Sequence, residues 1–431
     1  MPTSRRKFLQ ASGASVAGFM VAGCLGDTVD PDENGTPTPS PTPGPTPTDD
    51  QVRIGVLVPQ TGGFSVLGEP QQMAAELAVE QLNENGGING DEVVAIYEDT
   101  AGDPATARSR AERLVDEEEV HLLTGEASSA ASLAIQDYAE DEGIIFANQT
   151  GADAVTRDQC NQYTFRYESR TEQMARSSVE YLTEHVGTDI YFHITDYSYG
   201  QEVQAAWEEV LEERVDDYTI VDESSSELDA DDYSPYITSM INEDPDLAVL
   251  GMAGGDLVTF LSQAGEYDLS SQIDVYVPTN DFLAHRAGGG DPTIGMYGGL
   301  RYFEGWDSEM NREFVSSYVE MHGEIPHNHS ESQWTMLTQI LAPAIEEAGS
   351  TEPDELIPVL EGFEFESPMG AGQIRECDHQ AMRDNFGVVQ VTESKDFDWV
   401  PENDLPSLEI LETVPMEESI VDCEGSRCDL A

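Results

Sequence analysis

Apolar and polar positions along the chain write short buried strands and amphipathic helices in turn. Val52 to Val58 is a nearly continuous apolar run bounded by Pro59, which predicts a buried strand. Pro70 to Asn83 sets Met73, Leu77, Ala78 and Leu82 on one face of a helix. Glu92 to Tyr97 predicts a strand, Asp103 to Glu118 a helix capped by Asp103 with Pro104 in its first turn, Val120 to Thr124 a strand, Ser128 to Glu142 a helix, and Ile144 to Ala147 a strand. The alternation then restarts. Helices are predicted over Thr171 to His185, Gln201 to Arg214, Tyr233 to Asn242 and Asp256 to Gly265, interleaved with strands over Asp189 to Thr195, Tyr218 to Glu223, Leu247 to Met252 and Asp274 to Val277. Such alternation means parallel strands joined by right-handed crossovers, an α/β fold with doubly wound sheets. A chain too long for one simple core, carrying two copies of that layout, implies two lobes with a cleft between them. Ligands of such sheets sit outside the carboxyl ends of the strands. The loops concerned are Pro59 to Pro70, Thr124 to Ser129, Asn148 to Thr150, Asp196 to Gly200, Gly251 to Asp256 and Pro278 to Phe282.

The first residues break this pattern and read as an address. Ser4-Arg5-Arg6-Lys7-Phe8-Leu9 is a twin-arginine signal, and Ala11 to Val21 is weakly apolar, too short and too rich in Gly and Ser to span a bilayer. Val21-Ala22-Gly23-Cys24 has the form of a lipobox, in which small residues fit the signal peptidase and the Cys24 thiol accepts lipid. The expectation is a signal peptide over 1–23 and a lipid-anchored protein on the outer face of the cell membrane. Residues 27 to 50 follow, rich in Thr-Pro repeats with almost nothing apolar to bury. They predict an extended tether holding the folded part away from the lipid.

Charge narrows the setting further. Acidic residues number 85 against 19 basic, for a formal charge of −66, and lysine occurs only at Lys7 and Lys395. Such a charge repels itself in dilute buffer, whereas at molar salt the Debye length falls to about 3 Å and the penalty largely disappears. This is the expectation for an extracellular protein of an extreme halophile. The acids are spread over amphipathic segments in a chain with 39% hydrophobic residues, which argues against a disordered acidic protein. No acidic run has the spacing of a calcium loop, so no metal and no cofactor is expected, and the charge excludes nucleic acid as a partner. With Cys24 set aside, Cys160, Cys377, Cys423 and Cys428 form an even set, which in an oxidising compartment suggests two disulfides. Three connectivities are open. The short gap between Cys423 and Cys428 favours a local loop there, and hence Cys160 with Cys377.

Several of the loops resemble those of the branched-chain amino-acid type periplasmic binding proteins, the substrate-capturing subunits of ABC importers. The resemblance runs from residue 51 to about 400. Ile54-Gly55-Val56-Leu57-Val58-Pro59-Gln60-Thr61-Gly62 with Gly68 is similar to that family's opening strand and loop, and Asn83 to Gly90 to its Asn-Gly-Gly turn. Glu98 to Pro104, Gly125-Glu126-Ala127-Ser128-Ser129, Thr164-Phe165-Arg166, Tyr199-Gly200, Phe314 through Tyr318 with Gly323 and Pro326, and Arg375 to Gln380 match in the family's order. The resemblance implies the type I two-lobed fold, each lobe a doubly wound mostly parallel sheet, with one lobe from 51–168 and 284–365, the other from 169–283 and 366–415, and an acidic tail over 416–431. Hinge crossings are expected near Arg166 to Arg170, Pro278 to Ala284 and Phe365 to Gly372. It further implies a monomer that holds a small-molecule ligand and passes it to permease subunits in the membrane.

For site residues the resemblance is specific. Ser128 and Ser129 open a helix whose free N–H groups and positive dipole end favour an anion. In the family the second Ser of this pair and a Thr of the next loop bind a carboxylate, which puts the roles on Ser129 and Thr150, with Asn148 lining the same loop. Tyr199 falls where a second-lobe Tyr closes over the ligand, and Asp281 near the position that pairs a ligand ammonium. Leu67 and Ala253 stand where leucine binders carry aromatic rings, so the pocket is reshaped and the ligand class extends to amides and other carboxylates. Trp306 and Trp334 are further candidates for a roomier apolar pocket.

Two other readings bear weighing. A ligand-sensing extracellular receptor domain reuses this fold, but normally continues into a transmembrane helix, whereas Val414 to Ala431 is polar. An enzyme is disfavoured because the eight His are scattered and no Gly-x-Ser-x-Gly, His-Glu-x-x-His or Gly-x-Gly-x-x-Gly motif is present. The halophile expectation is open to a direct measurement. Dialysis from molar salt to about 0.1 M should abolish the helical circular dichroism signal, and an unchanged spectrum would rule the expectation out.

Overall fold

A computed structural model describes residues 50–279, 290–401, 405–428 and 430. Cys24, the signal and most of the tether, and Asp281 lie outside these residues.

The first sheet is wholly parallel. Strands β1 (Gln51–Val58), β2 (Glu92–Asp99), β3 (Leu122–Gly125), β4 (Phe146–Asn148) and β5 (Thr164–Arg166) lie in the order β2-β1-β3-β4-β5. Helices α1 (Ser65–Glu84), α2 (Pro104–Asp116) and α3 (Ser129–Glu142) make the crossovers. Successive residues of β1 face opposite sides of the sheet: Val56 and Val58 join the α1 side, Leu57 the α2–α3 side. That explains why the strand reads as an unbroken apolar run. Helix α1 starts one turn earlier than the Pro70 boundary anticipates. Its Asn83 side chain is the reason for the Asn-Gly-Gly turn, because it donates to the carbonyl of Val93 at 2.9 Å and accepts that residue's N–H at 2.8 Å. Helix α2 begins as expected, with Asp103 accepting from the Thr106 N–H at 2.8 Å.

The second sheet has seven strands in the order β15-β14-β10-β9-β8-β6-β7. Parallel β6 (Asp189–Thr195), β7 (Thr219–Ser226), β8 (Leu247–Gly251), β9 (Asp274–Val277) and β10 (Tyr297–Leu300) alternate with α4 (Thr171–His185), α5 (Ser198–Arg214), α6 (Ser234–Glu243) and α7 (Gly254–Glu266). The chain then returns to the first lobe. Helices α8 (Glu309–His322) and α9 (Asn328–Thr335) pack against α1. A π-helical turn over Met336–Leu341 continues α9 into α10 (Ala342–Ala348), and α11 (Pro353–Leu360) follows. A small antiparallel sheet of β11 (Glu364–Ser367), β12 (Gly370–Ile374) and β13 (Ala381–Arg383) comes next. Finally β14 (Phe386–Thr392) pairs antiparallel with β10, and β15 (Ser407–Val414) with β14.

The first hinge crossing lies between β5 and α4, as expected. The other two do not fall at 278–284 and 365–372. Because β10 still extends the second sheet, the second crossing follows Leu300, and because β13 still pairs with β12, the third lies between β13 and β14. The expected disulfides are also corrected: Cys160 bonds to Cys428 and Cys377 to Cys423. Residues 416–428 are therefore not a loose tail. β15 carries the chain back to the hinge, where Arg375 donates to the carbonyl of Val421, the N–H of Val421 donates to Glu172 at 2.8 Å, and Ser426 donates to Asp378 at 3.1 Å. A four-residue gap says nothing about such a return, so spacing selected the wrong partners.

Opening the Cys160–Cys428 bridge in a Cys160→Ser/Cys428→Ser variant releases a bond whose ends are 268 residues apart. Chain-entropy arithmetic puts the loss at up to roughly 5 kcal/mol, commonly less. Thermal unfolding at molar salt should register it, and peptide mapping of the parent protein should recover these two pairs; recovery of a Cys160–Cys377 peptide would refute the pairing.

Candidate functional site

Both sheets reverse their winding direction between two neighbouring strands, β1 and β3 in the first lobe and β6 and β8 in the second. Loops leaving such a switch point diverge and leave a crevice at the carboxyl ends of the strands. Here the two crevices face each other, and their rims touch. The N–H of Gly255 donates to the carbonyl of Gly63 at 2.8 Å, the rings of Phe64 and Tyr197 lie 5.9 Å apart, and Glu202 of α5 accepts the N–H of Ala154 at 3.1 Å. A Cβ at Gly255 would sit 2.9 Å from the Gly63 carbonyl oxygen, so glycine is what permits this approach.

On the first lobe the floor of the cleft is the start of α3. Gly125, with φ of +112°, turns the chain out of β3 where a Cβ would meet the Leu57 carbonyl oxygen at 2.3 Å. Ser128 and Ser129 follow, each only 2% exposed. Neither hydroxyl is bonded to any described group, and Ser128 does not cap the helix with its side chain. Two buried donors therefore stand beside backbone N–H groups that the helix leaves unpaired. Thr150 is buried on the next loop, its N–H and hydroxyl both donating to Asn148 Oδ1, at 2.8 and 2.9 Å. Asn148 in turn donates to Ser132. Its amide is thus spent on shaping the loop, which makes Asn148 a positioning residue. The loop is held from behind by Arg166, which donates to the carbonyls of Thr150 and Ala152.

The second lobe supplies Tyr199, in the first turn of α5 and 4% exposed. Its ring lies on Gly151, where a Cβ would come within 3.1 Å of it, so Tyr199 reaches across to the Thr150 loop. Ala253 is the N-terminal cap residue of α7, half-buried, with its small side chain toward the second-lobe core. Leu67 and its neighbour Phe64 are buried, yet belong to none of the three core clusters among the described residues. The contact given across the lobes at this point is that of Tyr199 with Gly151, next to Thr150, while Ser128 and Phe64 both lie against Gly102. Trp334 does not join them: its indole N–H donates to Gln81 of α1 at 2.8 Å and its ring packs 5.0 Å from Phe314. Trp306 likewise packs against the core.

Glu126 is the residue the sequence reading passed over. It is fully buried with φ of +69°, and its Oε1 accepts the N–H groups of Ala127 at 3.0 Å and Ser128 at 2.8 Å. Burial pushes its pKa up to about 7, against the opposing pull of the Thr100 hydroxyl and those two N–H groups. In a chain with 85 acidic residues nothing marked this one out; its place between Gly125 and the serine pair was the only signal.

Comparison with known proteins accords with this geometry. Residues 51–396 match the family model described as periplasmic binding protein. The chain belongs to that family, whose members are solute-binding proteins and not enzymes. It is 28% identical over 341 residues to a Leu/Ile/Val-binding protein homologue of Brucella abortus, an alignment covering 73% of this chain and 81% of that protein. In fold it is similar to a periplasmic binding protein from Burkholderia mallei (TM-score 0.80, 22% identity, 89% of this chain and 100% of that one). A solute-binding protein of an ABC transporter from Rhodopseudomonas palustris, solved in complex with 3,4-dihydroxybenzoic acid, is similar at a TM-score of 0.76 and 21% identity, over 86% of this chain and all of that one. The two-lobed architecture is the type I periplasmic-binding-protein fold.

Glu126 gives the protein a pH dependence of definite sign. With its folded pKa raised from 4.5 to about 7, the native state holds a proton that the unfolded chain releases, so this group's contribution falls as pH rises through that window. Glu126→Gln should remove that dependence and stabilise the protein at pH 7.5 relative to the parent by up to about 3 kcal/mol. Thermal melts of both proteins at pH 4.5 and 7.5 test this; an equal pH response would show that Glu126 ionises normally.

Proposed function

We propose that this protein captures a small solute, an amino acid, an amide or a related carboxylate, in its inter-lobe cleft and delivers it to the permease of an ABC importer. The observation that carries the reading is the pair of hydroxyls of the buried residues Ser128 and Ser129 at the N-terminus of α3, neither bonded to a described group. That arrangement offers donors and a positive dipole end to an anion. The ligand of the Rhodopseudomonas protein is a carboxylic acid, and the name of the Brucella homologue refers to amino acids; the carboxylate is the group these share. Closing is a hinge motion at the three crossings, and Tyr199 is the second-lobe side chain that meets the ligand when the cleft shuts. Asp281 is assigned to a ligand ammonium. Cys24 is assigned to membrane lipid, which would hold the protein on the outer face of the membrane at the end of its Thr-Pro tether.

Calorimetry at molar salt with a carboxylate found by thermal-shift screening tests the cleft. Ser129→Ala removes one charge-assisted hydrogen bond, worth about 1.5–3 kcal/mol, and should weaken binding roughly ten- to a hundredfold. Tyr199→Ala should act mainly by raising the off-rate. If both variants bind like the parent, the cleft assignment fails. A large loss in Asp281→Asn identifies an amino acid, a small one an amide or simple acid. Cys24→Ala should release the folded protein from membranes into the medium, and its retention there would exclude the lipid anchor.

A further inference from the structure

The side-chain amides of Gln71 and Gln333 and the backbone of Gln149 meet the carboxyl end of β3, the strand that leads to the serine pair. Gln71 of α1, Gln149 after β4 and Gln333 of α9 are each at most 0% exposed. Each touches one of three consecutive residues. Gln71 Nε2 donates to the carbonyl of Glu126 at 3.3 Å, the N–H of Gln149 donates to the carbonyl of Gly125 at 3.2 Å, and Gln333 Nε2 donates to Thr124 Oγ1 at 3.2 Å. The Thr124 hydroxyl donates onward to the carbonyl of Ala147 at 3.0 Å, so toward Gln333 it can only accept. These partners fix which way two of the amides point. The oxygens Oε1 of Gln71 and Gln333, together with both polar atoms of Gln149, have no hydrogen-bond partner among the described residues. A second feature adds to them: His329, one helical turn before Gln333 on α9 and 4% exposed, has its Nδ1 without a described partner.

Buried polar atoms left unpaired are unfavourable, and native proteins carry few of them. A cluster on a single strand end, next to a ligand cleft, is the arrangement of a site that a ligand completes. Its chemistry is lopsided. It offers carboxamide oxygens in excess and one NH2 group, so it accepts more hydrogen bonds than it donates. An isobutyl or isopropyl group placed there would satisfy none of them.

Resting on the carboxylate reading above, we infer that Gln71, Gln149 and Gln333 form a specificity pocket for the far end of the ligand, selecting carboxylates that carry N–H or O–H donors over those with an aliphatic side chain. The serine pair and the N-terminus of α3 hold the charged end; the glutamines read the other. Among solutes of equal shape the donor-bearing member is preferred, because only it can pair the amide oxygens.

The test uses the full-length protein at molar salt and three pairs of ligands matched in shape: asparagine with leucine, threonine with valine, and 4-hydroxybenzoate with benzoate. The donor-bearing member of at least one pair should bind ten times or more tightly than its partner. In Gln71→Leu/Gln333→Met that preference should fall at least tenfold while sensitivity to Ser129→Ala is kept. Equal binding within every pair, tighter binding of the apolar members, or an unchanged preference in the double variant overturns the pocket. Should the double variant not fold, Gln149→Met is measured in its place with the same expectation. If no carboxylate binds, urea and acetamide are titrated. Binding of either that is lost in the double variant keeps the pocket and overturns the carboxylate reading, whereas binding of neither overturns both.

Discussion

Arg166 and Arg170 are buried to 0% exposure where the chain first passes between the lobes, and a guanidinium can lie there only if nearly every N–H has an acceptor. The acceptors come from distant parts of the chain. Arg166 reaches Gln380 at 2.6 Å, Thr156, and the carbonyls of Thr150 and Ala152. Arg170 pairs with Glu172 at 2.7 Å and Asp378 at 3.1 Å, and Asp378 is shared with Arg375 and Ser426. Glu172 also takes Arg176 and the N–H of Val421. One buried network therefore fixes the first crossing, the turn after β12, the returning C-terminal segment and the loop that bears Thr150. Removing Arg170 would take one ionic partner from both Glu172 and Asp378, and breaking a buried pair typically costs about 3–5 kcal/mol. The cleft inherits its geometry from this network.

The two disulfides enclose the same region. Cys160 lies between the Thr156 turn and β5, and Cys377 precedes Asp378, so both bridges tie the C-terminal segment to the residues that feed the ion pairs. In a chain of formal charge −66 the bases are scarce, and most of the arginines that lie buried are placed where carboxylates concentrate. The hinge is consequently covalent and ionic at its back, while its front is held by a few contacts between glycines and aromatic rings. That division suits a motion in which the lobes part at the cleft and pivot at the crossings.

The proposed site sets a buried acid beside the serine hydroxyls. Glu126 occupies the N–H groups of Ala127 and Ser128, and its raised pKa is the result of burial winning over those hydrogen bonds. A carboxylate ligand on the neighbouring Ser129 would meet least repulsion while Glu126 is protonated. Acid density at the surface and charge economy in the interior are thus separate problems: the first is a matter of solvent-exposed acids and salt screening, the second of pairing or protonating each acid that the fold takes out of water.

Much of the fold was legible because strand and helix periodicities are local properties. Val52 to Val58, Asp103 with Pro104, and Thr171 to His185 needed only neighbouring residues to declare themselves, and the order of such elements implied two doubly wound lobes. The loop carrying Ser128 and Ser129 was legible for the same reason, since a strand end running into a helix start is a local event. What only the tertiary structure decided depends on which remote segments meet. Spacing joined Cys423 to Cys428, but the return of β15 to the hinge sent each to a different partner. β10 stayed in the second sheet because β14, almost ninety positions later, pairs against it. Asn148 became a support for Thr150 because Ser132 stands opposite it. Glu126, Gln71 and Gln333 differ in no visible way from other acids and glutamines of the sequence; their significance comes from burial and from the groups they face, and neither is written in the order of residues along one stretch of chain.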